Sequence, residues 1–487
     1  MDIIRAIVAD PLPIIKGTAP KIPYATQTVL SHTLGLSETS KQWSLRLELT
    51  VKMMRSYVHD STPSVTAMQK FSLNGFPITK RMWISNVTLN PPKDDIRQAL
   101  FQAIEGIEGP NKIPTKYKKP ELLPVTAEWT GYCSQSVSKK GWTDRQKYRG
   151  IMHEAKSQVT VLYFHGGAYY LMDPATHRPT TAKIAKYTKG RCLSIRYRLA
   201  PQNPFPAALL DGLVSYLNLL YPTNDFDTFH KAVPPSQIVF AGDSAGGNLA
   251  LVLLQTILEL HRQGQHIVVW NGVERDIPLP SGVACNSAWA DVTRSMPSCE
   301  ENAKFDYIPT PSTHPDGMAF PICEIWPASP PRKNFFAEDE MLCHPLVSPL
   351  AARDWSGAPP MWMCTGQELL TDEDKHVAAK AARQGVVVQL EEWEGMPHCF
   401  AMVILNTEPS RRFFKSISEF IRTCVEAPGE LQTRGVKIRA KNWREEKLDV
   451  ESVNRFTDEE VDRRMRKRED EIDHEQGTDT LVTTGLA

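Results

Sequence analysis

The sequence predicts an α/β fold in which helices cover both faces of a mostly parallel central sheet. Between residues 121 and 425, short apolar runs rich in β-branched residues alternate with helix-like segments. The runs are nearly continuous in apolar residues, which is typical of strands buried on both faces of a parallel sheet. The predicted strands are 159–164, 192–197, 238–241, 282–285, 361–364 and 386–390, and the clearest helices are 206–220 and 247–260.

Three regions flank or interrupt this pattern. Residues 1 to about 120 show helical spacing, for example over 43–54 and 94–105, and predict a helical N-terminal region. Residues 300–340 are rich in proline, aromatic and acidic residues and indicate an insertion. Residues 426–487 are highly charged and predict a tail that is partly helical or disordered. Thr457 and Glu460 form a candidate capping box, which predicts a helix that continues to Glu471.

Composition narrows the possible functions. Lysine plus arginine equals aspartate plus glutamate at 56 each, so no net positive charge favours a nucleic-acid partner. The nine cysteines include no C-x-x-C pair, which argues against a disulfide framework or zinc site and favours a reducing, cytoplasmic setting. We expect no transmembrane segment and no signal peptide, although the apolar residues 3–8 leave peripheral lipid contact open.

The strongest chemical signal is the run Gly242-Asp-Ser244-Ala-Gly246, a G-x-S-x-G motif between a predicted strand and a predicted helix. A tight strand-to-helix turn forces its serine into a strained conformation and exposes the hydroxyl, so Ser244 is the candidate nucleophile. The same turn places the backbone N–H of Ala245 at a helix start, where it can stabilise an oxyanion. Without further motifs, a turn that has no chemical role explains this pattern about equally well.

A second corner, His165-Gly166-Gly167-Ala168, ends the preceding predicted strand. Small residues there expose backbone N–H groups, so we expect Gly167 and Ala168 to complete an oxyanion hole and Gly166 to permit the bend.

The base and the acid should come from loops after later strands. His398 follows the last predicted strand and is the candidate general base. Glu368 follows the strand 361–364 and is the preferred acid, with Asp372 as the rival that could instead start a helix. The order of serine, acid and histidine is that of α/β-hydrolases and differs from the chymotrypsin order, which puts serine last.

Taken together, these motifs resemble the hormone-sensitive-lipase-like family of α/β-hydrolases over roughly residues 122–424. The resemblance rests on HGGA (165–168), YRLAP (197–201), FPAALLD (205–211), GDSAGG (242–247), GQELLTDE (366–373) and MPHCF (396–400). Within the family the chain is most similar to intracellular esterases of fungi, some of which serve secondary metabolism. It departs from the family pattern at Ala168, where glycine is usual, and at Glu368, where aspartate is usual.

The resemblance implies a serine carboxylesterase that forms an acyl-enzyme on a small or medium apolar ester and needs no cofactor or metal. It also implies that the N-terminal helices form a cap, joined by the insertion, over an apolar pocket. Tyr169, Tyr170 and Trp289 are candidate pocket walls, with ordinary core packing as the alternative. Two other readings stay open: a catalytically silent small-molecule-binding homologue, and an acyltransferase or amidase with the same triad. The sequence leaves the oligomeric state undetermined.

Overall fold

The centre of the molecule is one large sheet. The computed structural model describes residues 21–59, 63–107, 116–136, 138–222, 228–313 and 320–474. The strands are β1 (Met82–Leu89), β2 (Val125–Tyr132), β3 (Thr160–Phe164), β4 (Arg191–Ile195), β5 (Ile238–Asp243), β6 (Ile267–Trp270), β7 (Val273–Asp276), β8 (Gly282–Asn286), β9 (Met361–Gly366), β10 (Val388–Trp393), β11 (Arg434–Ile438) and β12 (Glu445–Leu448). In the described residues, β6 and β7 pair as a separate hairpin and the other ten strands form the sheet in the order β1-β2-β4-β3-β5-β8-β9-β10-β11-β12.

The sheet is parallel from β4 to β11 and antiparallel at its margins, where β1 pairs with β2, β2 with β4, and β11 with β12. All residues of β3, β4, β5, β8 and β9 are buried. Alternate side chains of β3 enter different cores, with Leu162 on one face and Val161 and Tyr163 on the other. Burial on both faces accounts for the nearly continuous apolar runs in the sequence.

Helices cover both faces. They are α1 (Ile22–Thr33), α2 (Leu45–His59), α3 (Val65–Ser72), α4 (Arg97–Gly106), α5 (Asp144–Glu154), α6 (Arg178–Thr188), α7 (Ala207–Leu220), α8 (Ala245–Arg262), α9 (Ser298–Glu301), α10 (Thr371–Arg383), α11 (Phe400–Val403), α12 (Glu408–Glu426) and α13 (Asp458–His474). Helices α4, α7 and α8 pack on one face of the sheet, and α6 and α12 on the other. The fold predicted from the sequence is therefore confirmed.

The two ends of the chain differ from their predictions. The region 1–120 is not wholly helical, because residues 82–89 form β1 at the edge of the main sheet. The tail 426–487 is not limited to helix and disorder, because β11 and β12 extend the sheet beyond residue 425. The outer parts of both regions, residues 1–20 and 475–487, lie outside the described residues. Edge strands carry polar side chains on their open side, which hides them from a search for apolar runs.

Helix α13 agrees with its prediction. It runs over Asp458–His474, and the Thr457 hydroxyl accepts a hydrogen bond from the Glu460 N–H while the Glu460 carboxylate accepts one from the Thr457 N–H. This reciprocal pair is the predicted capping box.

The insertion lies beside the N-terminal helices. Its described residues contain the end of α9, short 3₁₀ turns and an isolated bridge between Cys323 and Trp326. Trp43 packs edge-on against Phe305, and Val65 of α3 packs with Trp326. The N-terminal helices and the insertion thus meet next to the carboxyl edge of the sheet.

Candidate active site

Ser244 lies in the tight turn between β5 and α8. Its backbone has φ 52° and ψ −121°, a conformation that non-glycine residues rarely adopt. The turn is held by the Ser244 N–H, which donates to the carbonyl of Asn286, and by the Ser244 carbonyl, which accepts from the Trp289 N–H, both at 3.0 Å. A Cβ at Gly246 would lie 2.0 Å from the carbonyl oxygen of Phe164, so only glycine lets helix and strand approach this closely. The side chain of Ser244 faces a cavity, as its motif predicts.

The corner 165–168 follows β3 and adjoins this turn. Gly167 has φ 109°, and Ala168, with φ 50°, lines the same cavity as Ser244. Within the described ranges, no hydrogen-bond acceptor is found for the backbone N–H groups of Gly167, Ala168 and Ala245. Available donors beside a serine are what an oxyanion hole requires. Gly166 packs against Asp243, and a Cβ there would lie 2.3 Å from its carboxylate, consistent with the spacing role expected of Gly166.

Two family motifs brace these corners. The Tyr197 hydroxyl donates to the carbonyl of His165 at 2.6 Å, and the ring stacks on the His165 imidazole. Arg198 forms an ion pair with Asp211 at 2.7 Å, which joins YRLAP to FPAALLD. These motifs therefore support the positions of the site residues from outside the cavity.

The loops after β9 and β10 bring Glu368 and His398 together. His398 Nδ1 lies 2.5 Å from Glu368 Oε2, and both side chains are buried. The other carboxylate oxygen of Glu368 accepts hydrogen bonds from the Ser287 hydroxyl at 2.6 Å and the Gly366 N–H at 2.9 Å. A carboxylate on Nδ1 fixes the imidazole orientation and leaves Nε2 for a reacting group.

Asp372, the rival acid, points elsewhere. Its carboxylate accepts a hydrogen bond from the Ser298 N–H at 2.9 Å and pairs with Arg455 at 2.9 Å. It lies in the first turn of α10, the alternative role considered for it. Glu368 is therefore the acid that contacts His398.

Charges around His398 shift its titration. Burial lowers the pKa of His398, whereas the Glu368 carboxylate bonded to Nδ1 raises it, and the net direction is upward from 6.5. Burial raises the pKa of the Cys399 thiol to about 12, so that thiol is neutral near pH 7 and Glu368 supplies the negative charge. Although burial raises the pKa of Glu368, hydrogen bonds and the imidazole charge outweigh it and leave this pKa below its usual value.

Two further buried acids, Glu373 and Asp374, lie in the first turn of α10. Asp374 accepts a hydrogen bond from the Ala288 N–H and Glu373 from the Ala290 N–H. Burial raises the pKa of both well above the usual values, and the Glu368 charge further raises that of Asp374. Their hydrogen bonds connect α10 to the loop after β8. The same loop carries Ser287, which bonds Glu368.

Asp306 was missed by the sequence analysis. One of its carboxylate oxygens accepts from the His398 N–H at 3.2 Å and the other from the Leu369 N–H at 2.9 Å. The residue belongs to the insertion and ties the base loop to the acid loop. No short motif marks it, because its partners lie 92 and 63 residues away in the chain.

The serine and the imidazole are not hydrogen-bonded in this structure: within the described residues, no hydrogen bond joins the Ser244 hydroxyl to His398. Such bonds are commonly long in unliganded hydrolases and shorten when substrate binds. The structure thus brings together Glu368 and His398 directly, and places Ser244 and Ala168 on the wall of one cavity.

The cavity beside Ser244 has a volume of about 190 Å³ and mainly apolar walls. The walls include two of the three predicted aromatic residues, Tyr170 and Trp289. Tyr169 instead stacks on Phe336 inside the core, with its hydroxyl bonded to Asn248. The insertion supplies the further wall residues Ile308, Pro309, Phe320, Asn334, Phe335 and Phe336.

The described residues contain neither a candidate metal cluster nor a candidate membrane-spanning helix. No group of three or more histidine, cysteine, aspartate or glutamate side chains there could hold a metal ion. No helix of that part of the chain is both long and apolar enough to cross a membrane.

Comparison with known proteins identifies the family. A family model described as an α/β-hydrolase fold matches residues 161–402, which contain Ser244, Glu368 and His398. The chain has the α/β-hydrolase fold. It is 29% identical to an acetyl-hydrolase of Streptomyces hygroscopicus over 54% of its length and 75% of the relative, and 28% identical to an esterase of Acinetobacter venetianus over 56% and 78%.

Solved structures agree on the fold of this hydrolase. An esterase from the bacterial hormone-sensitive lipase family superposes with a TM-score of 0.53 at 23% identity, covering 79% of this chain and 99% of the other. A hormone-sensitive-lipase homologue from a metagenome library superposes with a TM-score of 0.52 at 22% identity, covering 79% and 100%. With its esterase relatives, this chain is a carboxylesterase- or lipase-like hydrolase.

Proposed function

We propose that this hydrolase cleaves a small or medium apolar carboxylic ester through an acyl-enzyme on Ser244. The observation that carries the proposal is the position of Ser244, in a strained turn facing an apolar cavity with unused backbone donors beside it. A histidine–carboxylate pair 2.5 Å apart lies on the same edge of the sheet. Nucleophile, base, acid and oxyanion donors are the parts that acyl transfer requires.

In the proposed reaction, His398 Nε2 takes the proton of Ser244 as Oγ attacks the ester carbonyl. The N–H groups of Gly167, Ala168 and Ala245 stabilise the developing oxyanion, and one such donor contributes about 3–4 kcal/mol in related chemistry. The imidazolium then gives its proton to the leaving alkoxide, which departs as alcohol. His398 activates water to release the acid and regenerate Ser244, while Glu368 stabilises the transient imidazolium.

The size of the cavity supports a preference for short acyl chains. A volume of about 190 Å³ is below the range usual for drug-sized ligands, which is roughly 300–1,000 Å³. We expect kcat/KM on p-nitrophenyl esters to be highest for acetate to butyrate and to fall for longer chains. Equal or higher values on decanoate would contradict the short-chain preference and leave the serine mechanism untouched.

Labelling with a fluorophosphonate probe tests the nucleophile. We expect the probe to modify Ser244, Ser244→Ala to abolish labelling, and kcat to fall by about a thousandfold or more. The control is Ser452→Ala, at an exposed serine that is hydrogen-bonded to Asp449 on the surface, which should leave labelling unchanged. A chain that does not label would be a binding protein, and formation of new esters from added alcohols would indicate an acyltransferase.

A further inference from the structure

Residues 71–78, at and after the end of α3, carry a run of exposed apolar side chains. Phe71 is 80% exposed, and Leu73, Phe76 and Ile78 are about half exposed. Soluble proteins seldom expose a run of large apolar side chains unless it has a binding role. The segment therefore needs a partner that accepts apolar groups.

Two residues from other segments lie beside this run. The Met172 N–H donates to the Ser72 hydroxyl at 2.9 Å, and the Phe76 N–H donates to the carbonyl of Ala175 at 3.0 Å. Ile322, 85% exposed, adjoins Cys323, which pairs with Trp326 and packs against the cluster that contains Val65 of α3. We call these exposed side chains the apolar rim, which consists of Phe71, Leu73, Phe76, Ile78, Met172 and Ile322.

The apolar rim lies outside one wall of the cavity. Val65 of α3 packs in a cluster with Phe335, and Tyr170 and Phe320 pack against that cluster. Tyr170, Phe320 and Phe335 also line the cavity beside Ser244. A partner seated on the rim would therefore be separated from the cavity by a single layer of aromatic side chains.

The positive charge of the segment favours an anionic partner. Residues 63–93 contain Lys70, Lys80, Arg81 and Lys93 and no aspartate or glutamate, in a chain whose formal net charge is zero. Lys70 and Lys80 are exposed next to the apolar side chains. Apolar side chains that enter the acyl region, flanked by cations that attract phosphate headgroups, characterise peripheral binding to anionic lipids.

We propose that the apolar rim docks this hydrolase on an anionic lipid surface. An anionic lipid surface accommodates both the apolar and the cationic side chains. Phe71 and Phe76 would enter the headgroup–acyl boundary, while Lys70 and Lys80 would face lipid phosphates. The contact is independent of the catalytic step, because it uses none of Ser244, Glu368 or His398. It would bring the aromatic wall of the cavity close to esters dissolved in the lipid.

Vesicle co-sedimentation of the full chain tests the proposal, with the Ser244→Ala chain run in parallel. The vesicles contain phosphatidylcholine alone or phosphatidylcholine with phosphatidylglycerol. We expect binding to the phosphatidylglycerol vesicles, weaker binding to phosphatidylcholine alone, and loss of the difference at high salt. Phe71→Ser with Phe76→Ser should lower the partition coefficient by about tenfold or more, and Lys70→Gln with Lys80→Gln should lower anionic binding by about fivefold or more.

A matched control removes exposed apolar side chains elsewhere. Ile267 and Val269, on the separate β6–β7 hairpin, are 51% and 44% exposed, and Ile267→Ser with Val269→Ser should bind vesicles like the natural chain. The three double variants should turn over water-soluble p-nitrophenyl butyrate at the rate of the natural chain, which would show that they are folded.

Several outcomes would overturn the lipid proposal: no binding to either vesicle, equal binding by the Phe71/Phe76 variant, or a dimer that this variant dissociates without any vesicle binding. The last result would assign the rim to a second copy of the chain. The catalytic proposal fails separately, if Ser244→Ala retains turnover whatever the vesicles show.

Discussion

The carboxylate of Glu368 is bound on both oxygens, by His398 on one and by Ser287 and the Gly366 N–H on the other. Glu368→Gln removes the charge that stabilises the imidazolium, so we expect kcat to fall by about a thousandfold or more. Asp372→Asn should change kcat by no more than about threefold, because Asp372 bonds Ser298 and Arg455 instead. Initial rates on p-nitrophenyl butyrate, with melting temperatures to verify folding, compare the two variants. A large loss in Asp372→Asn alone would reverse the assignment.

The pKa of His398 governs the pH dependence of the reaction. The base must be neutral to accept the Ser244 proton, and its pKa is raised well above 6.5. Activity is therefore fully present only above that raised pKa and is lost as the pH falls through it. We expect the acidic limb of kcat/KM to lie above pH 6.5, and to move to lower pH in Glu368→Gln, which lacks the stabilising charge. An acidic limb at or below pH 6.5 in the natural chain would contradict this.

Asp306 is a positioning residue whose effect should appear in kcat. In Asp306→Asn, the amide nitrogen would face either the His398 N–H or the Leu369 N–H, and an unmet buried donor costs about 1–3 kcal/mol. We expect kcat to fall by about tenfold to a hundredfold. KM should change little, because Asp306 does not line the cavity.

The control for this variant is Asp449→Asn, at an exposed aspartate that also accepts a backbone N–H, from Glu451. It should leave both constants unchanged. If Asp306→Asn lowered only the melting temperature and left kcat intact, Asp306 would have a structural role alone.

The site residues found from the sequence share one property: each sits in a local motif at the end of a strand. Ser244 and Ala168 belong to glycine-rich corners whose backbone geometry dictates the residue types. Asp306 lies on no strand end, and its role arises only when the insertion folds back onto two distant loops. Proximity to the strand end favoured Glu368 over Asp372, and the side-chain directions in the structure then separate them.

At the scale of elements, an uninterrupted apolar sequence decided which strands could be predicted, because β2 is largely buried but contains polar residues and was missed. Strands such as β3 and β9 are buried on both faces and give unmistakable apolar runs. Strand β12 consists of Glu445–Leu448, half of it exposed, and pairs only along one edge. Its pairing with β11 depends on backbone hydrogen bonds that composition does not reveal.

Helix α13 is charged overall but stabilised by a narrow apolar stripe. Val461, Met465 and Ile472 are buried, whereas Lys467 is exposed and paired with Glu471. We expect Met465→Ala to lower the free energy of unfolding by about 2–5 kcal/mol, because it leaves a cavity in the core. Lys467→Ala, on the opposite side of the helix, should change it by less than about 0.5 kcal/mol. Urea unfolding measures both, and equal small effects would show that α13 contributes little to the fold.

At the scale of the whole molecule, Arg55 connects the N-terminal helices to the catalytic edge. From α2 its guanidinium donates to the carbonyls of Ala303 and Lys304 at 2.9 and 3.1 Å, and to that of Asp306. The carboxylate of Asp306 in turn holds the His398 loop. The N-terminal region thus reaches the base loop through Asp306, and also directly, because the Trp43 indole N–H donates a hydrogen bond to the carbonyl of Gly395.

This connection predicts coupled effects of Arg55 and Asp306. Arg55→Met leaves several carbonyls without their donor, so we expect it to lower kcat, and Arg55→Lys to lower it less because lysine can still bond one of them. Arg46→Met is the control, since Arg46 lies on the same helix but donates to Leu405 at the surface. Because Arg55 and Asp306 act on one segment, their double variant should deviate from additivity by about 0.5–3 kcal/mol in activation free energy. Strictly additive effects would mean that Arg55 stabilises the fold without influencing the position of His398 through Asp306.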